Sequence, residues 1–207
     1  MNKFKLFSLV VLATTFAKAQ DLESIKKIID AEQLEKAKSQ LKSFIQSKPT
    51  NGKATFLLGN IYLKQDIIDS AKVYFQKGLT CSEGARLNSI GLAQLDLDNN
   101  NTAAAQAKFD LITKDLKKRD IEEYIYIARA YMNADKPDFK TALTYLQKAK
   151  VNSPNDPQLL LAFGDAYYGD KNQNDAYVSY RDAYNIDNSL LREKMQLGVL
   201  LKWANSL

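Results

Sequence analysis

An all-α solenoid of antiparallel helix pairs is the fold this sequence predicts, and three observations predict it. First, small residues recur in phase: Gly59 is followed by Ala71, Gly91 by Ala105, Ala128 by Ala142 and Gly164 by Ala176, at spacings of 12 or 14 residues. Second, an aromatic or leucine follows each second small residue, and these residues (Phe75, Phe109, Leu146 and Tyr180) are separated by 34, 37 and 34 positions. A period near 34 made of two helical halves marks stacked helix pairs, each too short to bury its apolar face alone. Third, glycine inside a helix costs about 1 kcal/mol relative to alanine, so its scheduled return argues for close helix crossings. Bulky side chains one turn away, Tyr62 with Phe75 and Tyr167 with Tyr180, are expected to fill the space beside each crossing.

Residues 1–19 stand apart. Met1 to Lys5 is a short cationic start, Leu6 to Phe16 is an apolar run, and Ala17-Lys18-Ala19 supplies a small-x-small site. This pattern reads as a secretory signal peptide cleaved after Ala19, which leaves Gln20 as the new N-terminus. The apolar run is far short of the ~20 residues of a membrane-spanning helix. The segment has no arginine and no amphipathic period, unlike a mitochondrial presequence, and no cysteine ends it for lipid attachment. No later stretch is apolar enough to span a bilayer, so no transmembrane span is expected after signal removal. The expected destination is the periplasm, with the extracellular space as the alternative, and the Lys, Asn and Ile content suggests a bacterial source.

The solenoid is expected over 20–207, as about five helix pairs plus a C-terminal half-repeat helix. The first pair spans about Asp21 to Ala31 and Gln33 to Ser47. Leu22, Ile25, Ile28 and Ile29 share one face, and Ala37, Leu41 and Phe44 mark the second helix. Ala37 precedes Gly59 by 22 residues, the distance that also separates Ala142 from Gly164 and Ala176 from Gly198. Pro49 and Pro154 fall just after second helices, where proline cannot continue a helix. Asp156-Pro157 reads as a helix start, an acidic cap before a proline in the first turn, and Asp187-Asn188-Ser189 reads similarly. Pairs three and four gain two residues, expected in the connections around Asp98-Asn99-Asn100-Asn101 and Ala134-Asp135-Lys136-Pro137. From Glu193 to Trp203 a first helix restarts, with Leu197-Gly198 in phase and Leu200, Leu201 and Trp203 on it. Three readings stay open for that helix: a cap with one wet face, a docking surface, or part of a longer repeat array.

Composition narrows the chemistry. The chain has no histidine, which removes the usual general base, the histidine-activated nucleophiles and most zinc sites. Neither G-x-G-x-x-G nor the phosphate-binding G-x-x-x-x-G-K-[ST] occurs. Two stretches mimic calcium loops, Asp96-x-Asp98-x-Asn100 and Asp170-x-Asn172-x-Asn174. Both put another residue (Asn101, Asp175) where the turn glycine belongs, and Ala107 and Arg181 where the chelating glutamate belongs. Turn formation is the better explanation. No cofactor, no metal and no enzymatic activity are therefore expected. The net charge of +5 falls to +2 once Lys3, Lys5 and Lys18 leave with the signal peptide, since no acid leaves with them. There is no basic stripe for nucleic acid, and Lys117-Lys118-Arg119 reads as a cluster complementing a helix C-terminus. Cys81 is the single cysteine, so no internal disulfide forms; it is either a packing residue at a helix end or an exposed thiol that dimerises the protein.

These residues carry a family resemblance. Leu58-Gly59-x2-Tyr62, Ile127-Ala128-x2-Tyr131 and Phe163-Gly164-x2-Tyr167 resemble the L-G-x2-Y of tetratricopeptide repeats. The A-x3-F of those repeats is similar to Ala71/Phe75, Ala105/Phe109, Ala142/Leu146 and Ala176/Tyr180; Gly78, Ala149 and Ala183 match the next small residue, and Pro154 the closing proline. The usual tryptophan is replaced, by Thr55 and Leu160 among others. The resemblance runs from about Asp21 to Leu207 and implies a right-handed superhelix whose first helices line a concave face that cradles a peptide. On that face the resemblance places Lys53, Phe56, Asn60, Leu63 and Lys64, then Asn88 and Leu92, then Ile125, Tyr126, Arg129 and Asn133, then Leu161, Asp165 and Tyr168. A lining of aromatics with few charges suits a protein segment better than a polyanion. Phe56 stands where the clamp for an acidic C-terminus would need a base, which argues against chaperone-tail binding. The expectation is an exported adaptor with a protein or peptide partner. The alternatives are a self-associating scaffold, a homodimer through Leu197, Leu201 and Trp203, or the start of a longer array.

Overall fold

A computed structural model of the chain describes residues 21–187, and these form ten α-helices with no strand among the described residues. The segment read as a signal peptide and the terminal helix bearing Leu197, Leu201 and Trp203 lie outside the described residues. The helices pair in order: α1 (Leu22–Asp30) with α2 (Leu34–Ser47), α3 (Gly52–Lys64) with α4 (Ile68–Leu79), and α5 (Ala85–Asp98) with α6 (Thr102–Lys114). They continue as α7 (Ile121–Asn133) with α8 (Phe139–Lys150) and α9 (Pro157–Gly169) with α10 (Gln173–Ile186). Each first helix also packs on the next first helix from α3 to α9, so the pairs stack into a solenoid.

Local chemistry places the helix starts. Asp21, Asn51, Asp138, Asp156 and Asn172 each accept a hydrogen bond from the backbone N–H three residues on, at 2.6, 3.0, 2.9, 2.9 and 3.3 Å. Each satisfies a donor that the first turn leaves orphaned. Pro157 occupies the first turn of α9, as its sequence predicts. Four of the five pairs are joined by three-residue turns whose middle residue is left-handed: Glu32, Asp66, Asn100 and Lys171, with φ between 56° and 62°. Asp66 and Asn100 are residue types that tolerate this region, whereas Glu32 and Lys171 are not and are held there by the packing of their two helices.

The two extra residues of pairs three and four are handled differently. In pair four they lengthen the α7–α8 connection, which spans 134–138, as expected. In pair three they lengthen α5 itself, whose last residue is Asp98, and the turn keeps three residues. Asn99 Nδ2 caps the extended end by donating to the Leu95 carbonyl at 2.8 Å. The cluster Lys117-Lys118-Arg119 also differs from expectation: it sits in the connection beyond α6 rather than in its last turn.

The phased small residues are at the centre of the packing. Ala71, Ala105, Ala142 and Ala176 are all fully buried, as are Phe75, Phe109 and Leu146. Phe75 explains the glycines: a Cβ on Gly59 or on Gly91 would strike its ring, in the latter case at 2.5 Å. One ring on α4 therefore packs against both α3 and α5, and full burial of such a side chain contributes about 1.5–3 kcal/mol. Cys81 is buried against the carbonyls of Pro49 and Lys77, both 3.7 Å from its sulfur, so it is a packing residue.

Candidate interaction surface

The direction in which the solenoid bends follows from two contacts. Helices α3 and α7 are separated in the stack by α5, yet Lys53 Nζ donates to Glu122 Oε2 at 2.7 Å and the rings of Phe56 and Tyr126 meet edge to face at 4.7 Å. Helices two places apart touch only on the inside of a bend. The first helices thus line the concave side, and they approach each other closely enough to fill part of it.

Charges border this closure. Arg86 on α5 holds Asp120 at 3.1 Å and Glu123 at 3.5 Å, and Lys53 on α3 holds Glu122. Burial works to lower the Lys53 pKa, but the hydrogen bond and charge of Glu122, with Glu83 and Glu123 nearby, outweigh it and hold it above the ordinary lysine value. Burial pushes the Glu123 carboxyl up despite Arg86. Asp120 is held below the usual carboxylate range by the Lys117 N–H, and by Arg86. Burial raises the Tyr126 hydroxyl, Arg129 opposes that shift, and the charges of Lys26 and Asp30 on α1 also reach it. Arg129 lies over the Tyr126 ring at 5.3 Å, a geometry that suits a cation–π contact.

The residues placed on the concave face by sequence now separate into two groups. Phe56, Asn88, Ile125 and Leu161 are buried, at 2%, 0%, 5% and 5% exposure, and are packed inside the solenoid. Asn88 in particular is a clasp between pairs two and three. Its Nδ2 donates to the carbonyls of Gly52 at 2.7 Å and Gly84 at 2.8 Å, and its Oδ1 accepts from Thr55 Oγ1 at 3.3 Å. It lies so close to Gly78 that no Cβ fits there, and Gly84, left-handed at φ 80°, crosses the backbone of Lys53. Leu63 and Leu92 are half-buried against the main core. Asp165 is half-buried and accepts from Tyr180 Oη at 2.8 Å. Lys53 and Lys64 are ion-paired, Lys64 with Glu32 at 3.2 Å. Asn60, Tyr126, Arg129 and Tyr168 stay half-buried, and Asn133 is exposed.

The first calcium-like stretch has other partners, and in the second Asn172 caps α10. Asp96 pairs with Lys108, Asp98 Oδ1 accepts from the Asp135 N–H at 3.2 Å, and Asn100 Oδ1 accepts from Lys136 at 2.6 Å. Sequence reasoning missed Gln106, which joins three helices: Tyr131 Oη donates to its Oε1 at 2.7 Å, and its Nε2 donates to Tyr145 Oη at 2.9 Å. Nothing local marks it, because both tyrosines come from the following pair.

The structure is similar to that of a solved tetratricopeptide repeat protein from Parabacteroides merdae. That chain is 18% identical, with a TM-score of 0.56, over 82% of this chain and 68% of its own length. The fold is that of a tetratricopeptide-repeat solenoid. More distant likenesses are to PilW, described as a widely conserved type IV pilus biogenesis factor, and to YrrB, described as a TPR protein with an unusual peptide-binding site. PilW is 15% identical over 79% of this chain and 74% of its own, with a TM-score of 0.48. YrrB is 16% identical over 86% and 94%, with a TM-score of 0.42. No protein-family model matches the sequence, and no curated protein matches it. Across the repeats, three first helices place a tyrosine at the same position, Tyr62, Tyr131 and Tyr167, facing the second-helix side of the stack.

Proposed function

We propose that this protein is an exported, periplasmic adaptor that binds a protein or peptide partner on its concave face. The observation that carries the reading is the Tyr126–Arg129 pair, stacked at 5.3 Å and half-buried on the inside of the bend. Tyrosine and arginine held rigid in a concave surface are the side chains that dominate protein–protein binding energy. Burial of Phe56, Asn88 and Leu161 reduces the binding set to Asn60, Lys64, Tyr126, Arg129, Asn133, Asp165 and Tyr168, with Lys53 on its border. The export half of the proposal rests on the N-terminal pattern described above.

A photo-crosslinking residue at Asn133 should capture a discrete envelope partner, while the same residue at Val73, exposed on α4, should not. Combining Tyr126→Ala, Arg129→Ala and Tyr168→Ala should reduce capture at least ten-fold with helicity retained. Undiminished capture by that triple variant sinks the concave-face assignment. N-terminal sequencing of the envelope-fraction protein should begin at Gln20; a chain that keeps Met1 and stays in the cytosol refutes export.

A further inference from the structure

The two most exposed large apolar side chains among the described residues occupy equivalent places. Leu111, 70% exposed, is in the last turn of α6, and Val151, 78% exposed, directly follows α8. Val151 keeps helical dihedrals, φ −55° and ψ −35°, so it continues the surface of α8. Each therefore has an exposed lysine three residues away on its own helical face, Lys114 beside Leu111 and Lys148 beside Val151. Leu79 closes α4 in a similar way, 42% exposed, with Lys77 in the same last turn. Antiparallel pairs stacked in order put the ends of α4, α6 and α8, with the connections 80–84, 115–120 and 151–156, on one edge of the solenoid.

That edge is cationic. Residues 114–119 hold Lys114, Lys117, Lys118 and Arg119 against one acid, Asp115, and α8 ends on Lys148 and Lys150 with no acid in the helix. None of these lysines, nor Lys77, has an ion-pair partner among the described residues, and Arg119 reaches Asp120 only at 4.0 Å. Lys148 and Lys150 lie over the Tyr145 and Phe163 rings at 4.8 and 5.2 Å, contacts that leave their charge uncompensated. Other acids at this edge are engaged: Asp120 and Glu123 by Arg86, Glu122 by Lys53, and Glu83 by Asn51 Nδ2 at 3.3 Å. A base in a last turn complements the helix C-terminus. That explains neither Lys117, Lys118 and Arg119, which lie beyond α6, nor the exposed leucine and valine. The turns of the opposite edge carry Glu32, Asp66, Asp135, Asp138 and Asp170 against Lys136 and Lys171.

We propose that this edge docks on the surface of an anionic phospholipid bilayer, with Leu111 and Val151 entering the interface and the flanking bases meeting lipid phosphates. Charge complementarity selects an anionic headgroup. The exposed apolar pair selects a bilayer over a soluble polyanion, which offers those side chains nothing. Apolar side chains rimmed by lysine attach proteins to such interfaces, each base near anionic lipid adding to the apolar burial. The bases are spread along the chain from Lys77 to Lys150, and only the stacking of the pairs aligns them. The edge shares no residue with the concave set, so the two readings stand or fall separately.

Co-sedimentation of the mature form proposed above, Gln20 to Leu207, with vesicles of one part phosphatidylglycerol to three of phosphatidylcholine tests the assignment. The protein should bind these vesicles at about 50 mM salt and at least ten-fold more weakly at about 500 mM, where surface charges are screened. It should not bind phosphatidylcholine alone. Lys117→Glu/Lys118→Glu should weaken binding at least ten-fold. Leu111→Ser/Val151→Ser should weaken it to a similar extent with helicity unchanged, because both side chains are exposed. Val73→Ser, at a residue 59% exposed within α4, should leave it unchanged. Failure to bind the anionic vesicles overturns the proposal. So does binding that Leu111→Ser/Val151→Ser leaves intact while heparin competes, which would make the edge a site for soluble polyanions. Loss of binding in Trp203→Ala, with both edge variants unaffected, would assign attachment to the C-terminal segment and equally refute it. The Tyr126→Ala/Arg129→Ala pair should bind vesicles as the wild type does; loss there would place the lipid on the concave face and refute this edge alone.

Discussion

Asn88→Asp changes one atom in the clasp between repeats two and three and reverses its chemistry. The wild-type amide gives two protons, to the Gly52 carbonyl at 2.7 Å and the Gly84 carbonyl at 2.8 Å, from a side chain with no solvent exposure. A carboxylate offers no proton and sets a third oxygen against those two. Truncation to alanine loses two good hydrogen bonds, each with a net contribution of about 1 kcal/mol, and leaves a small void, so Asn88→Ala should cost about 2–4 kcal/mol. Gly52 retains its bond from Thr55 Oγ1 at 2.9 Å, which limits that loss. An uncompensated buried charge costs about 3–5 kcal/mol, so at pH 7 Asn88→Asp should be the worse of the two. For a chain of this size each kcal/mol moves Tm by about 2–4 °C. The sign with pH is fixed: burial among carbonyls raises the new carboxyl above its unfolded value, so the penalty grows as pH rises through the interval between them. It should shrink toward that of the alanine variant as pH falls to about 4. Urea denaturation followed at 222 nm, at pH 7 and near pH 4, measures both. If the aspartate variant is as stable as the alanine one at pH 7, or its deficit ignores pH, the clasp as described is wrong.

Gly91→Ala puts a methyl 2.5 Å from the Phe75 ring and should destabilise by about 1–3 kcal/mol, with Phe75→Leu recovering part of the loss in the double variant; additive losses in a double-mutant cycle would refute the contact. The two acids beside Arg86 should respond oppositely to pH. Asp120 is held low, so its stabilisation is present above the unfolded carboxylate pKa and lost as pH falls through the folded one. Glu123 is raised by burial, so its ionisation costs stability above the unfolded pKa. Comparing pH 7 with pH 4, Asp120→Asn should therefore be more destabilising at pH 7, and Glu123→Gln less so; thermal melts across that interval that moved both variants alike would contradict the assignment.

Much of the frame is legible in the residues because its determinants are local and periodic. Asp156-Pro157 supplies an acidic cap and a first-turn proline within two residues, and alanines in phase with glycines point to close, buried crossings. The concave lining was legible in part. Tyr126 and Arg129 are where the pattern placed them, whereas Phe56 and Asn88 are inside. A helical face names a direction, and whether that direction ends in solvent depends on what arrives from elsewhere. For Phe56 it is Tyr126, and for Asn88 the turn carrying Gly84 together with Gly52. The extra residues of repeat three show the same limit. The spacing from Gly91 to Ala105 reveals two more residues, but only the helix ladder decides that α5, not the turn, absorbs them.

By itself, the sequence determined the helix pairs, their period and the alternation of small and large residues that stacks them. Each of those features repeats every 34 to 37 residues and needs no knowledge of distant contacts. Tertiary structure alone decided that the stack bends toward its first helices, which first-helix side chains remain accessible, and which rings from separate helices meet. These depend on pairs such as Lys53 with Glu122, 69 residues apart, and on rings from separate helices meeting face to face.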